Sequence, residues 1–319
     1  MAPTTLKFAT VNIEHYGQRT DARGNVDTTA FWSIHDRLAE LDLTVLFVQE
    51  MTDRWRSGAR LRYAAENRLG MRSWISPMPA HADGERVNPT GLFVRPGVFE
   101  MVGEWPQTRG WWTPPTAISV RLPGASSTLQ LASAHGGYPD PVLRAGEARK
   151  AAAWQTRNQA VIFGADSNSH LTSPVEHNPL PDWSTVRDTT HREHRTLDGR
   201  TSDATPHEIL TRAGLEDAAL YAATHLGQSD AVAPTASMYP HVSERQGPPQ
   251  RIDLLRMSRA LLPALERVDV IPLEGTDHAL VVAHVDADGL TEGLNAHSAF
   301  DYSTPLWAPG EQPASLTTA

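Results

Sequence analysis

Short apolar runs rich in β-branched residues recur along this chain, at residues 6–13, 43–48, 91–94, 117–122, 129–134, 160–163, 252–257, 268–271 and 280–285. Each has the length and character of a buried strand. Stretches of helical period lie between some of them, at 29–41, 57–69, 143–158 and 209–213 ahead of Gly214. Strands that interleave with helices, without a fixed repeat, predict a layered α/β fold. The 319 residues are long for one domain, yet α/β units of roughly 250 residues or more fold as one. The expectation is a single domain over 1–285 and a C-terminal tail over 286–319, where the composition turns to Gly, Asn, Ser, Thr and Pro with Tyr302 and Trp307 as the main aromatics. Residues 170–207, rich in His, Arg, Asp, Thr and Pro, read as a long surface loop of the kind that often carries function.

Composition narrows the chemistry. The chain has no cysteine, which removes disulfides, thiolate catalysis and thiolate-held zinc or iron–sulfur centres and leaves oxygen and imidazole groups. A formal charge of −9 offers no basic excess for neutralising a long stretch of duplex backbone. The start of the chain lacks an apolar segment behind a basic one, and no run of membrane-spanning length occurs, so the expectation is a cytoplasmic protein without a membrane anchor.

Four places set polar groups at a predicted strand end. Asn12 sits on the first apolar strand with Glu14 two residues on, hence on the same face if extended. Glu50 ends a fully apolar run, where a carboxylate is costly unless it is paired, binds a cation or reaches water. Gly164-Ala165-Asp166-Ser167-Asn168 closes another buried strand; Gly164 permits an unusual backbone path, and Asp166 with Asn168 offers an acceptor and a donor for a water and a phosphoryl oxygen, or an Asx-turn. Asp253 begins one late strand and Asp277-His278 precede the next, so an Asp–His pair can form in which Asp253 fixes the imidazole tautomer and favours its protonated form.

Taken in order, Asn12, Gln49-Glu50, His135 after a strand, Asp166-x-Asn168, Arg251-Ile252-Asp253 and Thr276-Asp277-His278 make the chain resemble the endonuclease/exonuclease/phosphatase superfamily of metal-dependent phosphoesterases, across residues 12–278. The resemblance implies a four-layer α/β sandwich, two packed mixed β-sheets flanked by helices. It implies Glu50 as principal metal ligand with Asn12 beside it and Glu14 or Asp277 helping, for magnesium or, as the alternative, manganese. It implies that Asp166 orients or deprotonates the attacking water, that Asn168 holds it or a phosphoryl oxygen, that His278 contacts the scissile phosphate and that His135 assists the leaving group, with the division between acid and base left open. Three departures stand out: Ala165 where a glycine is frequent, Thr276 where serine is usual, and Ser133-Ala134-His135-Gly136-Gly137 in place of Asn-x-His-Leu, whose glycines would give the substrate more room.

Other features read more plainly. His191-Arg-Glu-His194-Arg195 lacks the spacing of a helical zinc site and reads as a solvated loop rather than a second metal or phosphate site. Trp111-Trp112 before two prolines reads as turn packing in preference to a stacking surface. The helix holding Arg144, Arg149, Lys150 and Arg157 reads as solvated surface, with Arg144 close enough to His135 in sequence to reach a phosphate. The expected reaction is hydrolysis of a phosphate ester, foremost as a nuclease-like phosphodiesterase on single-stranded or short nucleic acid or nucleotides. The alternatives are a phosphatase or phosphodiesterase for a small molecule or lipid headgroup and, last, a silent scaffold.

Overall fold

Period-two alternation in the apolar runs gives each strand two buried faces, and the two faces meet different neighbours. The computed structural model describes residues 4–52, 60–77, 88–171, 173, 175–177, 180–303 and 306. In chain order the strands are β1 (Thr5–Asn12), β2 (Arg19–Thr20), β3 (Val26–Asp27), β4 (Val45–Gln49), β5 (Arg72–Ile75), β6 (Gly91–Val94), β7 (Glu100–Glu104), β8 (Thr116–Arg121), β9 (Thr128–His135), β10 (Gln159–Asp166), β11 (Leu215–Asp217), β12 (Asp253–Ser258), β13 (Leu265–Pro272) and β14 (Ala279–Asp286). The helices are α1 (Thr29–Ala39), α2 (Arg60–Leu69), α3 (Pro141–Ala152), α4 (Thr189–Arg195), α5 (Thr205–Arg212), α6 (Ala218–His225), α7 (Pro240–Gln246) and α8 (Ala287–Ala296).

Two six-stranded sheets result, in the orders β13-β14-β1-β4-β6-β5 and β11-β12-β10-β9-β8-β7. Each is mixed: β1 runs parallel to β4 and β9 parallel to β10, while the remaining neighbours are antiparallel. Alternate residues from both sheets (Leu6, Phe8, Val45 and Phe47; Leu129, Leu131, Ala160, Ile162, Leu255 and Met257) interdigitate in one central core. The opposite faces are covered by helices. Phe31, Ile34 and Leu38 of α1 and Ala65 and Leu69 of α2 pack on Ala9, Val11, Leu46 and Val48. Ala145, Ala148 and Ala151 of α3 with Ile209 and Leu210 of α5 pack on Val161, Phe163 and Ala165. The expected four-layer sandwich is the observed one.

Gly164 has a different job from the one its place before Asp166 suggests. It lies in regular strand pairing, opposite Ser133 and Leu255, and a β-carbon there would sit 2.6 Å from Thr10 Cβ and 2.7 Å from Phe47 Cβ, so it sets the spacing of the sheets just below the site. Gly164→Ala is expected to cost about 1–3 kcal/mol of stability through overpacking. Urea denaturation followed by circular dichroism measures it; an unchanged midpoint would mean the sheets part freely.

Two boundaries differ from expectation. Residues 286–319 do not begin as a tail: Asp286 caps α8, whose Leu290 and Leu294 join the central core, and His297 is buried as well, its ring bonded to Tyr302 and to Thr156 O. The stretch 170–207 is not only loop, since it contains α4 and the start of α5. Trp307 and most of residues 79–90 lie outside the described residues. No helix among the described residues is long and apolar enough to cross a membrane.

Candidate active site

The inward alternation of the strands carries on past the apolar core and turns polar at one end of the sandwich. On β1 the inward positions run Leu6, Phe8, Thr10, Asn12; on β9, Leu129, Leu131, Ser133, His135; on β10, Ala160, Ile162, Gly164, Asp166; on β12, read backwards, Met257, Leu255, Asp253. The register aligns these ends, with Asp166 opposite both His135 and Asp253 and Asn12 opposite Gln49. Gln49 bonds Ser133 across the gap and Ser133 donates to Val48 O, a buried polar layer that fastens one sheet to the other.

Seven of the residues singled out in the sequence, Asn12, Glu50, His135, Asp166, Asn168, Asp277 and His278, line one cavity of about 670 Å³ above this layer. Asp253 lies behind His278, its Oδ2 2.8 Å from Nδ1. Its backbone N–H and that of Ile252 both donate to Thr235 Oγ1, a positioning contact that no motif announced. Thr276 shows why a hydroxyl belongs there: it donates to Asn12 O and accepts from His278 N–H, joining the start of β14 to the end of β1.

Asp166 is the hub. Its Oδ2 accepts from Asn12 Nδ2 at 2.9 Å and lies 3.5 Å from His135 Nε2, and its Oδ1 accepts from Asn168 N–H at 3.0 Å. Burial alone would raise its pKa, but the nearby His135 and His278 and the Asn12 hydrogen bond outweigh that and hold the carboxyl below its usual value. Burial likewise opposes a charge on His278, yet Asp253, followed by Asp166 and Asp277, holds the imidazole protonated and pushes its pKa up to about 10. In an NMR titration the His278 ring is expected to keep its proton well above pH 8. In Asp253→Asn its pKa should fall by about two units or more as burial loses its main opponent; a His278 titrating near 6.5 in the parent would refute the pair.

Six described residues stand in left-handed backbone without being glycine, and Glu50 (φ 61) and Asn168 (φ 49) of the site are two of them. Such conformations cost of order 1 kcal/mol or more and gather at functional sites. The turn at Glu50 lets Oε1 accept from Asn12 Nδ2 and Oε2 from His15 N–H. Asn12 Oδ1 is buried with no hydrogen-bond partner. Glu14 is exposed, and its pKa is raised first by partial burial and then by Asp277 and Glu50, so these three carboxylates feel one another's charge. An unpartnered amide oxygen on a side chain bonded to the Glu50 carboxylate is the kind of donor set that suits a hard divalent cation. The donor atoms of Asp166, Asp253 and His278 also lie within 4.8 Å of one another, but the hydrogen bond between the last two already uses them as a proton-holding pair.

Arg144 is a correction. Only 1% of it is exposed, and all five guanidinium N–H groups are taken, by Asp203 through Nε and Nη2, by Gly137 O and Tyr138 O through Nη1 and by His194 O through Nη2. It cannot turn to a phosphate without breaking this network; it pins α3 to the segment after α4. The glycines after His135 are not open space either: a β-carbon on Gly136 would meet Ser167 O at 2.4 Å, and Gly137 N–H donates to Glu147. Arg251 is buried and bonded to Glu176 and Asp217.

The reading of 191–195 as a solvated loop fails in the other direction. Asp188 caps α4 by accepting from His191 N–H, and α4 forms a wall of the cavity with His191, His194 and Arg195. Burial, with Arg195 next, holds His191 down to about 3. The paired tryptophans divide: Trp111 is buried and stacks on Trp154 with centroids 5.7 Å apart, whereas Trp112 stays 37% exposed in the cavity.

No family model matches the sequence, and no curated protein matches it. Solved structures do match its fold. A 3'-5' exonuclease from Neisseria meningitidis superposes with a TM-score of 0.56 at 17% identity, covering 88% of this chain and 100% of that one. An AP endonuclease from Archaeoglobus fulgidus gives 0.57 at 14%, covering 88% and 99%. An endonuclease/exonuclease/phosphatase family protein from Leptotrichia buccalis gives 0.56 at 12%, again over 88% and 99%.

Proposed function

We propose, from a chain that carries the endonuclease/exonuclease/phosphatase fold, that it hydrolyses phosphate esters with a divalent cation, as a nuclease-like phosphodiesterase acting on nucleotides or the ends of nucleic acid. The observation that carries this reading is the convergence, in one cavity, of a protonated Asp253–His278 pair, an ionised Asp166 held by Asn12 and Asn168, and the unpartnered Asn12 oxygen beside Glu50. Asn12 and Glu50, with Asp277 or Glu14, would hold the cation. Magnesium, or manganese, bound there supplies charge to neutralise phosphoryl oxygens.

The remaining work falls to the chain. Asp166, an acceptor that lines the cavity, orients a water and takes its proton as the water attacks phosphorus. The Asn168 side chain donates to Gly136 O, which fixes the turn that carries it. His278 presents N–H and positive charge to a non-bridging oxygen, and the charge is maintained by Asp253. His135, beside Asp166, faces the leaving oxygen. A small-molecule ester is the second reading, favoured by the cavity itself, whose 670 Å³ suits one compact ligand better than a long duplex. The acidic net charge points the same way.

The test follows cleavage of single-stranded DNA, duplex DNA, RNA, a bis-aryl phosphodiester and small monoesters, with magnesium or manganese against chelator, in the parent and in His278→Ala. Chelator-sensitive turnover lost in the variant is the expected result. Turnover that survives chelation would remove the cation from the reading, and turnover that survives in His278→Ala would remove the pair.

A further inference from the structure

Among the described residues, Arg195 is the cation in the cavity that the chemistry above does not use. Its guanidinium donates through Nη2 to Asn168 Oδ1 and through Nη1 to Tyr138 O, which leaves N–H groups over, and among the described residues no carboxylate comes within ion-pair distance of it. Asp203, the carboxylate behind it, is held by Arg144. Burial and the neighbouring Arg144 pull its pKa down to about 10 against the opposing pull of Asp166 and Asp203, so it remains charged at neutral pH. A partly buried arginine with no carboxylate in direct contact is costly, and an anion on its remaining N–H groups would offset that cost. It is also held firmly, because Asp203 N–H donates to Arg195 O at the base of the turn closed by Thr196 and Ser202.

Next to it stands an aromatic wall. Tyr138 meets Trp112 edge-on at 5.8 Å and His194 edge-on at 5.4 Å, and all three line the cavity. Trp112 and Tyr138 are 37% and 47% exposed. An exposed aromatic cluster at the mouth of a polar cavity is a platform for a planar ring.

We propose that Arg195 and the Trp112–Tyr138 wall form a nucleotide-sized subsite, in which Arg195 binds an oxygen of the phosphoryl group beside Asn168 and the wall takes the base of the same nucleoside phosphate. The proposal rests on the phosphoesterase reading in its monoester form rather than its diester form, and names the substrate class: a nucleoside carrying a terminal phosphate, whether free or at a strand end. Arginine suits the task because its planar fork grips two oxygens at once, which lysine does not reproduce.

The test has a binding arm and a kinetic arm. In calorimetry with AMP, Arg195→Ala and Arg195→Lys should both weaken binding by roughly tenfold or more, and Trp112→Ala by roughly tenfold, with unchanged circular dichroism. Kinetics then compares AMP, glycerol phosphate, a 5'-phosphorylated oligonucleotide and a circular single strand without ends. Arg195→Ala should lower kcat/KM for every terminal phosphate, while Trp112→Ala should lower it for AMP and the oligonucleotide but spare glycerol phosphate. AMP and the oligonucleotide separate a free nucleotide from a strand end by their kcat/KM. The proposal is overturned if AMP does not bind the parent, if Arg195→Ala binds it as the parent does, if Trp112→Ala penalises glycerol phosphate equally, or if the circle is the best substrate. If no ester turns over but AMP binds and the variants weaken it as stated, the hydrolytic reading fails and the subsite stands.

Discussion

Asp166→Asn should lower kcat by about two to four orders of magnitude, the range for losing a positioned general base, with KM little changed and the fold intact. The substitution keeps the shape of the side chain, and an asparagine oxygen can still accept from Asn12 Nδ2 or Asn168 N–H. What disappears is the charge and the basic lone pair, and the strand cannot move to replace them, because Asp166 is paired on both sides with His135 and Asp253. The same substitution removes one of the carboxylates that keep His278 protonated, so the variant should also show a lower His278 pKa. Single-turnover kinetics on the preferred ester, beside the NMR titration of His278, separates the two effects. A variant within tenfold of the parent would place the base elsewhere, and the cavity would need another reading.

What was legible in the sequence follows from period two. Asn12, His135 and Asp166 are even-spaced continuations of apolar strand faces, so their common side of the sandwich follows from alternation once the strands are identified. The edges were harder. β7 is exposed along most of its length and needs no apolar pattern, and β5 opens with Arg72 and Ser73 and is only partly buried, so neither stands out as an apolar run. Arg144 and Arg195 show the limit most clearly. Proximity in sequence to His135 favours Arg144, but its partner Asp203 lies 59 positions away and claims it. Arg195 sits in a polar stretch with no hydrophobic period, and the one local signal was Asp188 placed to cap a short helix. Trp112 is distinguished from Trp111 only by which side of the chain meets α3.

Acidification should destabilise this protein by several kcal/mol, because it buries neutral histidines. His35 is fully enclosed against Phe31 and Tyr16, its Nδ1 donating to Phe31 O, and burial holds its pKa down to about 4. His207 accepts at Nδ1 from Arg256 Nη2, which requires a lone pair there, and burial followed by that guanidinium holds it down to about 3. His170 is shifted in the same direction. A histidine whose folded pKa is depressed contributes stability that is whole above its unfolded value near 6.5 and is lost as pH falls toward the folded value, since the unfolded chain binds the extra proton. At pH 5 each of His35 and His207 then costs about 2 kcal/mol, a sum of about 4 kcal/mol against a typical total of about 5–15 kcal/mol. His278 has the opposite sign: its raised pKa contributes stability below 6.5 that fades as pH rises toward about 10, so the maximum should lie near neutrality. Urea midpoints measured from pH 4 to 9 should trace this dome, and His207→Gln, whose amide oxygen can still accept from Arg256, should flatten its acid side. Stability that stayed level from pH 7 to 4.5 would mean these rings gain protons without unfolding the chain, which the Arg256–His207 hydrogen bond forbids.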